Sequence, residues 1–177
     1  MGNGPIRPQI VQEDRASGSK EIKGSLRFNQ AKSHNFHYTN PSDGNFWSWT
    51  YSTWVRRSKL DSQGSAFGAY KDQNNRTTFR FYADNRLNIQ HGVDGTFKNY
   101  TTSHRFTDVQ GWYHIVYRYS SWHWTASERA TLWVNGQKVT DWDASESYDH
   151  VWKSPVGRGP NYKLMLGCRE LSGGYDS

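Results

Sequence analysis

The chain has 177 residues, of which 22 are Lys or Arg and 16 are Asp or Glu, so its formal net charge is +6. This length suits one globular domain with a sizeable core. The 28 aromatic residues (9 Trp, 11 Tyr and 8 Phe) outnumber the 21 Leu, Ile and Val residues, so the core must be built largely from rings. The composition excludes a coiled coil and a Leu-rich helix bundle, and no run of 18 apolar residues provides a transmembrane helix. We therefore expect no membrane insertion.

Residues 1–23 differ in composition from the rest of the chain. Glycine and proline residues interrupt any regular element there, and no aromatic residue occurs before Phe28. We expect this segment to form an extended N-terminal arm, either a loose terminus or an arm that lies on a neighbouring subunit. Residues 24–177 are expected to form the folded domain.

From residue 24 onward, large apolar residues alternate with polar ones, and this period of two predicts β-strands. The predicted strands cover residues 25–28, 35–38, 47–55, 77–83, 86–91, 112–119, 131–134, 137–139 and 163–167. Each strand should bury one face. The residues predicted to face inward are Trp47, Trp49, Tyr51, Val55, Phe79, Phe81, Ala83, Leu87, Ile89, Tyr113, Ile115, Tyr117, Tyr119, Leu132, Val134, Leu164 and Leu166.

Two dipeptides predict tight hairpin turns. Asp84-Asn85 and Asn135-Gly136 lie between predicted strands, and Asn, Asp and Gly tolerate the positive φ angles of two-residue turns. Residues 145–153 fit either a short helix or a loop. Short strands, frequent turns and 16 glycines together predict an all-β fold, an antiparallel two-sheet sandwich or jelly roll.

Four strings of residues carry a family resemblance. Their order along the chain resembles that of the concanavalin-A-like or laminin-G-like jelly roll. The four strings are 24–28 (GSLRF), 47–55 (WSWTYSTWV), 111–116 (GWYHIV) and 130–136 (ATLWVNG). The resemblance extends over roughly residues 24–175. It implies a two-sheet antiparallel jelly-roll sandwich.

The chain also resembles the versions of this module that occur in virion proteins of marine tailed phages, the cyanophages. The carrying residues are 14–18 (DRASG), then 24–28, then 47–57. This resemblance implies a non-enzymatic structural protein on the virion exterior, made in the host cytoplasm: a capsid knob or decoration, or a tail-fibre module. Its partners would be capsid or tail subunits, in a homo-oligomer or in many copies.

The same resemblance implies a missing sheet strand. In such modules a glycine-rich segment like residues 173–176 leads into a final apolar strand that pairs with the first one, and here the sequence stops at Ser177. An open sheet edge is costly. We therefore expect that the domain at 24–177 is a piece of a longer protein or that a neighbour covers this edge.

The carboxylates argue against catalysis. Glycoside hydrolysis needs two carboxylates on either side of the scissile bond, yet no glutamate occurs between residues 22 and 127 and the glucanase pattern Glu-x-Asp-x-x-Glu is absent. We expect that the protein is not an enzyme and bears no catalytic residues. One acidic cluster fits either a solvated loop, which we favour, or a Ca²⁺ site; no other cofactor is expected. It comprises Asp141, Asp143, Glu146 and Asp149.

Basic residues are spread evenly along the chain, and only Arg56, Arg57 and Lys59 form a tight group. This spread favours a solvated basic surface over a nucleic-acid site, which usually shows a denser block. Nucleic acid is therefore not an expected partner.

The segment before the 131–134 strand is the best binding candidate. It contains Trp122 and Trp124, with Tyr119, His123 and Arg129 nearby. Flat rings beside polar groups suit sugars, which have an apolar C–H face and a polar rim. These five residues are our candidates for binding a host cell-surface glycan, as in a lectin at a fibre tip. We favour the alternative, in which the two tryptophans form a lid over the core or pack against another virion subunit.

Overall fold

The computed structural model describes residues 24–28 and 34–167 and the backbone of residues 169–171 and 174–176. The predicted arm at 1–23 lies outside the described residues. No helix in the described part is long and apolar enough to cross a membrane. Apart from a one-turn 3-10 helix at Ala126–Glu128, the regular structure there consists of strands: β1 (Phe36–Thr39), β2 (Ser48–Val55), β3 (Gly64–Asp72), β4 (Asn75–Phe81), β5 (Arg86–Val93), β6 (Thr96–Arg105), β7 (Tyr113–Ser120), β8 (Ala130–Val134), β9 (Gln137–Lys138), β10 (Trp142–Ser145), β11 (Lys163–Leu166), β12 (Arg169–Leu171) and β13 (Gly174–Asp176).

Two antiparallel sheets form the domain. The large sheet has the strand order β1-β11-β3-β4-β5-β6-β10, and the small sheet has the order β2-β7-β8-β9. A hairpin of β12 and β13 stands apart from both. The hydrophobic core lies between the two sheets, with residues from both in one cluster. The predicted all-β, two-sheet jelly-roll sandwich is confirmed.

The predicted alternation holds best in the centre of the two sheets. On β7, Tyr113, Ile115, Tyr117 and Tyr119 are all buried. The predicted inward residues of β4, β5 and β8 are buried as well, namely Phe79, Phe81, Leu87, Ile89, Leu132 and Val134. Large rings and aliphatic side chains therefore line both inner faces, as the period of two requires.

Two local predictions are wrong, and one open alternative is decided. Residues 25–28 form no strand, and the Leu26 side chain is 75% exposed, because two alternating apolar residues are too few to define a buried face. Ala83 lies exposed in the turn after β4. Of the two options for residues 145–153, the loop is correct; Val151 there has a φ of 58°, which a helix does not allow.

Asparagine determines both predicted turns. Asn135 and Gly136 have φ angles of 51° and 77°, as expected for the two-residue turn between β8 and β9. The turn at Asp84-Asn85 has three residues instead of two, because the hydrogen bond that closes it runs from the backbone N–H of Tyr82 to the carbonyl of Arg86 (2.8 Å). Within this turn, Asn85 alone has a positive φ, 68°. The side chain of Asn85 accepts from Arg57 (2.7 Å), so a tertiary contact stabilises this turn.

Rings from both sheets meet around Trp49 of β2. The centroid of Trp49 lies 5.5–6.3 Å from the rings of Phe79, His91, Tyr117 and Tyr119. Phe79 and His91 belong to the large sheet, whereas the two tyrosines belong to the small sheet. Direct ring-to-ring contacts therefore fix the position of one sheet against the other.

His91 is the polar centre of this core. Its Nδ1 shares a hydrogen bond with the Thr77 hydroxyl (3.1 Å), and its Nε2 shares one with the Tyr117 hydroxyl (3.2 Å), which in turn shares one with the Tyr148 hydroxyl (3.3 Å). Burial lowers the pKa of His91 to about 3. The imidazole is therefore neutral in the folded protein.

This burial predicts a loss of stability in mild acid. The unfolded chain takes up a proton on His91 below its ordinary pKa of 6.5, whereas the folded protein does so only near pH 3. The stabilisation is complete above pH 6.5 and is lost as the pH falls from 6.5 towards 3. From this group we expect the free energy of unfolding to fall by about 2 kcal/mol between pH 7 and pH 5.

Urea denaturation of the wild type and of His91→Asn at pH 7, 6 and 5 measures this effect. The variant should be less stable at pH 7 but should lose less stability towards pH 5. Parallel pH curves for the two proteins would contradict the assignment.

Candidate functional site

The segment from Ser121 to Arg129, between β7 and β8, presents both predicted tryptophans to solvent. The side chain of Trp122 is 53% exposed and that of Trp124 is 86% exposed. A ring that covered the core would itself be largely buried. The alternative in which both tryptophans form a lid over the core is therefore wrong.

Five rings form a continuous row at this end of the sandwich. Trp124 stacks on His150, with centroids 5.0 Å apart and an interplanar angle of 17°; His150 meets Trp122 edge-on at 6.0 Å. Trp122 lies 5.4 Å from Trp47, which lies 5.0 Å from Phe46. We call these five residues the aromatic row.

Backbone hydrogen bonds join the three chain segments that carry the row. The N–H of Ser121 donates to the carbonyl of Trp47 (2.9 Å), and the N–H of Val151 donates to the carbonyl of Ser121 (3.0 Å). Ahead of β2, the side-chain oxygen of Asn45 accepts from the N–H groups of Trp47 and Ser48 (3.0 and 2.9 Å). The backbone that carries the rings is thus held in place without a ligand.

Sequence reasoning missed three members of the row: Phe46, Trp47 and His150. It placed Trp47 on the inner face beside Trp49, but β2 begins one residue later, at Ser48, and the ring of Trp47 turns towards Trp122. The available signal was Asn45, a residue type that forms such a side-chain turn and ends the strand alternation.

The other predicted residues take different positions. The Arg129 guanidinium donates to the carbonyls of His123 (2.8 Å), Trp124 (3.1 Å) and Tyr148, so it positions the segment that carries the tryptophans. Tyr119 is buried, and its hydroxyl donates to the carbonyl of Trp152 (2.6 Å). His123 is exposed, but its Nδ1 accepts from the N–H of Thr125 (3.2 Å).

Two cations lie beside the far end of the row. The Lys153 Nζ is 5.5 Å from the centroid of Trp47, and the guanidinium carbon of Arg158 is 4.8 Å from the centroid of Phe46. Lys153 is exposed. The row therefore combines exposed ring faces with a hydrogen-bond donor.

A family model that describes the concanavalin A-like lectin/glucanases superfamily matches residues 23–167. The chain belongs to this superfamily. A search of curated proteins found no match.

Two solved structures are similar to this superfamily member. The heptameric SAP-like pentraxin from Limulus polyphemus is 16% identical, with a TM-score of 0.49, over 79% of this chain and 60% of that one. Domains LG4-5 of the mouse laminin alpha1 chain are 15% identical, with a TM-score of 0.54, over 87% of this chain and 37% of that one. The chain spans less than two thirds of the length of either protein, and the laminin likeness at this identity shows the fold alone.

The superfamily is named for both lectins and glucanases, and the surroundings of two glutamates of this member bear on hydrolysis. Glu128 accepts from the Lys138 ammonium (2.8 Å), which lowers the pKa of Glu128. A general acid needs the opposite shift. Glu146 accepts from the backbone and side-chain N–H groups of Asn99 (2.7 and 3.0 Å). Neither contact is that of a catalytic acid.

The acidic cluster from the sequence does not converge on a metal site. Asp143 pairs with Arg86, and Asp141 accepts from the hydroxyl of Ser103 (3.0 Å). Across residues 24–28 and 34–167, no three His, Cys, Asp or Glu side chains come together as metal ligands would. The Ca²⁺ alternative therefore gains no support from these residues.

The role of Arg129 can be tested by hydrogen exchange. Replacing Arg129 with Gln removes donors to three carbonyls, and we expect the amides of residues 121–128 to exchange at least about tenfold faster. Mass spectrometry measures the exchange, and Arg105→Gln, whose guanidinium donates to the carbonyl of Asp84, serves as the control. Unchanged exchange at 121–128 would show that Arg129 does not position this segment.

Proposed function

We propose that this chain is a non-catalytic adhesion module on the exterior of a tailed-phage particle, and that its aromatic row binds a carbohydrate on the host surface. The observation that carries the proposal is the exposure of Trp122 and Trp124, at 53% and 86%, within an ordered row of rings. An exposed ring pair of this size contributes little to folding, so it is available to a ligand.

The spacing of the row supports a sugar chain as the ligand. Neighbouring centroids are 5.0–6.0 Å apart, and the planes of Trp122 and Trp124 differ in orientation because one meets His150 edge-on and the other stacks on it. Successive sugars of one chain could each place a C–H face on a ring. Their hydroxyl groups would then reach Lys153 and His123, both of which are exposed.

The absence of catalysis is part of this proposal. It rests on the ionised, paired state of Glu128 and on the hydrogen bonds of Glu146 to Asn99. It also rests on the sequence, which lacks the glucanase pattern.

The particle location rests on the sequence resemblance at residues 14–18, 24–28 and 47–57. We infer that the chain is made in the host cytoplasm and is then attached to capsid or tail subunits in several copies. A decoration protein that binds no glycan is the second candidate, because the same exposed rings could pack against another virion subunit.

Removing the two exposed rings tests carbohydrate binding. For Trp122→Ala/Trp124→Ala we expect retention of the preferred neutral glycan to weaken at least about fivefold, because each stacked ring contributes roughly 0.5–1.5 kcal/mol. The melting temperature should change little, because both rings are exposed. A glycan array identifies the ligand, and calorimetry measures the affinity.

The matched control is Trp54→Ala/Trp133→Ala. These tryptophans lie on the outer face of the small sheet, where Trp54 stacks on His114 at 4.7 Å and Trp133 lies under Arg118. The control should retain the glycan. No selective hit on the array would favour the decoration protein, and release of reducing ends from a bound glycan would contradict a non-catalytic role.

Deleting residues 1–23 tests attachment to the particle. We expect the truncated chain to fold with an unchanged melting temperature and to be absent from purified particles, because the predicted arm supplies the contact with a neighbouring subunit. Quantitative mass spectrometry of particles made with each version measures incorporation. Normal incorporation of the truncated chain would refute the role of the arm.

A further inference from the structure

A basic pocket lies at the opposite end of β2 from the aromatic row, and we propose that it binds the sulfate or carboxylate group of an acidic polysaccharide. The pocket is a cavity of about 360 Å³ between Phe28, the segment that follows β2, and β3. This volume is within the range of small-molecule sites, roughly 300–1,000 Å³. The proposal goes beyond the aromatic row and does not depend on it.

Among the described residues, four cations line the pocket and no carboxylate does. They are Arg27, Arg56, Arg57 and Lys59. The ion pairs found among the described residues involve Lys71, Arg86, Arg118 and Lys138, and none involves a cation of the pocket. Their positive charges therefore add up across a small space and attract an anion.

Arg57 makes the inner part of the pocket permanently positive. It is 6% exposed, and its guanidinium donates to the Asn85 side chain (2.7 Å) and to the carbonyls of Phe106 (3.0 Å) and Lys59 (3.1 Å). All three acceptors are neutral. The nearby carboxylate of Asp61 accepts from Asn85 (2.9 Å). Because its hydrogen-bond acceptors are neutral, the charge of Arg57 is offset only in part, by the nearby Asp61 carboxylate, and the rest of its field acts on a ligand.

The walls of the pocket suit a sugar that carries the anion. The ring of Phe28 packs directly on Gly167, where an added Cβ would lie 2.3 Å from it, and forms an apolar wall. Ser58, Ser62 and Gln63 provide polar groups on the lining. A nucleic acid would need a longer line of phosphate contacts, and the other basic residues of the chain are dispersed.

The pocket and the aromatic row are far enough apart to be separate sites. β2 has eight residues between them, Ser48–Val55, which corresponds to about 25 Å at roughly 3.3 Å per residue. Removing one site should therefore leave the other intact.

The test measures binding by calorimetry with three probes: a sulfated heparin-derived hexasaccharide, the same hexasaccharide after desulfation, and a 12-nucleotide single-stranded DNA. The wild type should bind the sulfated probe. Arg56→Gln/Lys59→Gln should weaken this binding at least about tenfold, because it removes two charge-assisted contacts. Arg57 is left unchanged, because its side chain stabilises the fold. Binding of the desulfated probe, which keeps its carboxylates, would assign the pocket to carboxylate.

The control Lys71→Gln/Arg105→Gln also removes two exposed cations, so both double variants lower the formal net charge from +6 to +4. The control should bind within about twofold of the wild type. Equal weakening of hexasaccharide binding in both double variants would overturn the proposal, and so would failure of the wild type to bind either hexasaccharide. It would also be overturned if the wild type bound the DNA more tightly than the hexasaccharides and the pocket variant lost that DNA binding. The pocket variant should still bind the neutral glycan through the aromatic row. Loss of binding at one site can therefore be distinguished from loss of binding at the other.

Discussion

Direct contact between rings of the two sheets is the interaction on which the rest of this molecule depends. Tyr51 of β2 stacks on Phe67 of β3 with centroids 4.4 Å apart, and Phe79 of β4 meets Tyr117 of β7 edge-on at 5.1 Å. Interlocking rings leave the sheets one relative position, because a shift of either would lose several contacts at once. Both candidate sites are attached to the ends of β2, so this core also fixes their positions.

The same core builds the aromatic row through Tyr148. Its ring is buried and meets His91 edge-on at 5.2 Å, while its carbonyl accepts from Arg129. The chain then returns to the surface and places the half-buried His150 beside Trp124. One buried tyrosine thus anchors the segment at 148–153. The fold therefore does not depend on the exposed rings of the aromatic row for its stability.

The central strands could be predicted from sequence because their signal is local. On β7 the four buried residues recur at every second position, and three of the four residues between and after them are polar. Asn135-Gly136 favours the tight turn between β8 and β9 through its own backbone preferences. The full membership of the aromatic row could not be predicted in this way. Phe46, Trp122 and His150 come from three distant segments, and most of the hydrogen bonds that join these segments have a backbone carbonyl as acceptor, which has no signature in the sequence. Arg129 was predicted to bind a ligand because the sequence does not reveal that its guanidinium donates to backbone carbonyls instead.

The arrangement also determines how binding energy could be used. A ring that is 86% exposed, such as Trp124, gains free energy mainly when a partner covers it. The ordering of its segment by Arg129 and Ser121 has already been achieved during folding, so a ligand would immobilise few further groups. The same argument applies to Arg57, whose guanidinium is held in place by neutral acceptors. Preorganised surfaces at the two ends of β2 would bind a ligand with little rearrangement of the protein.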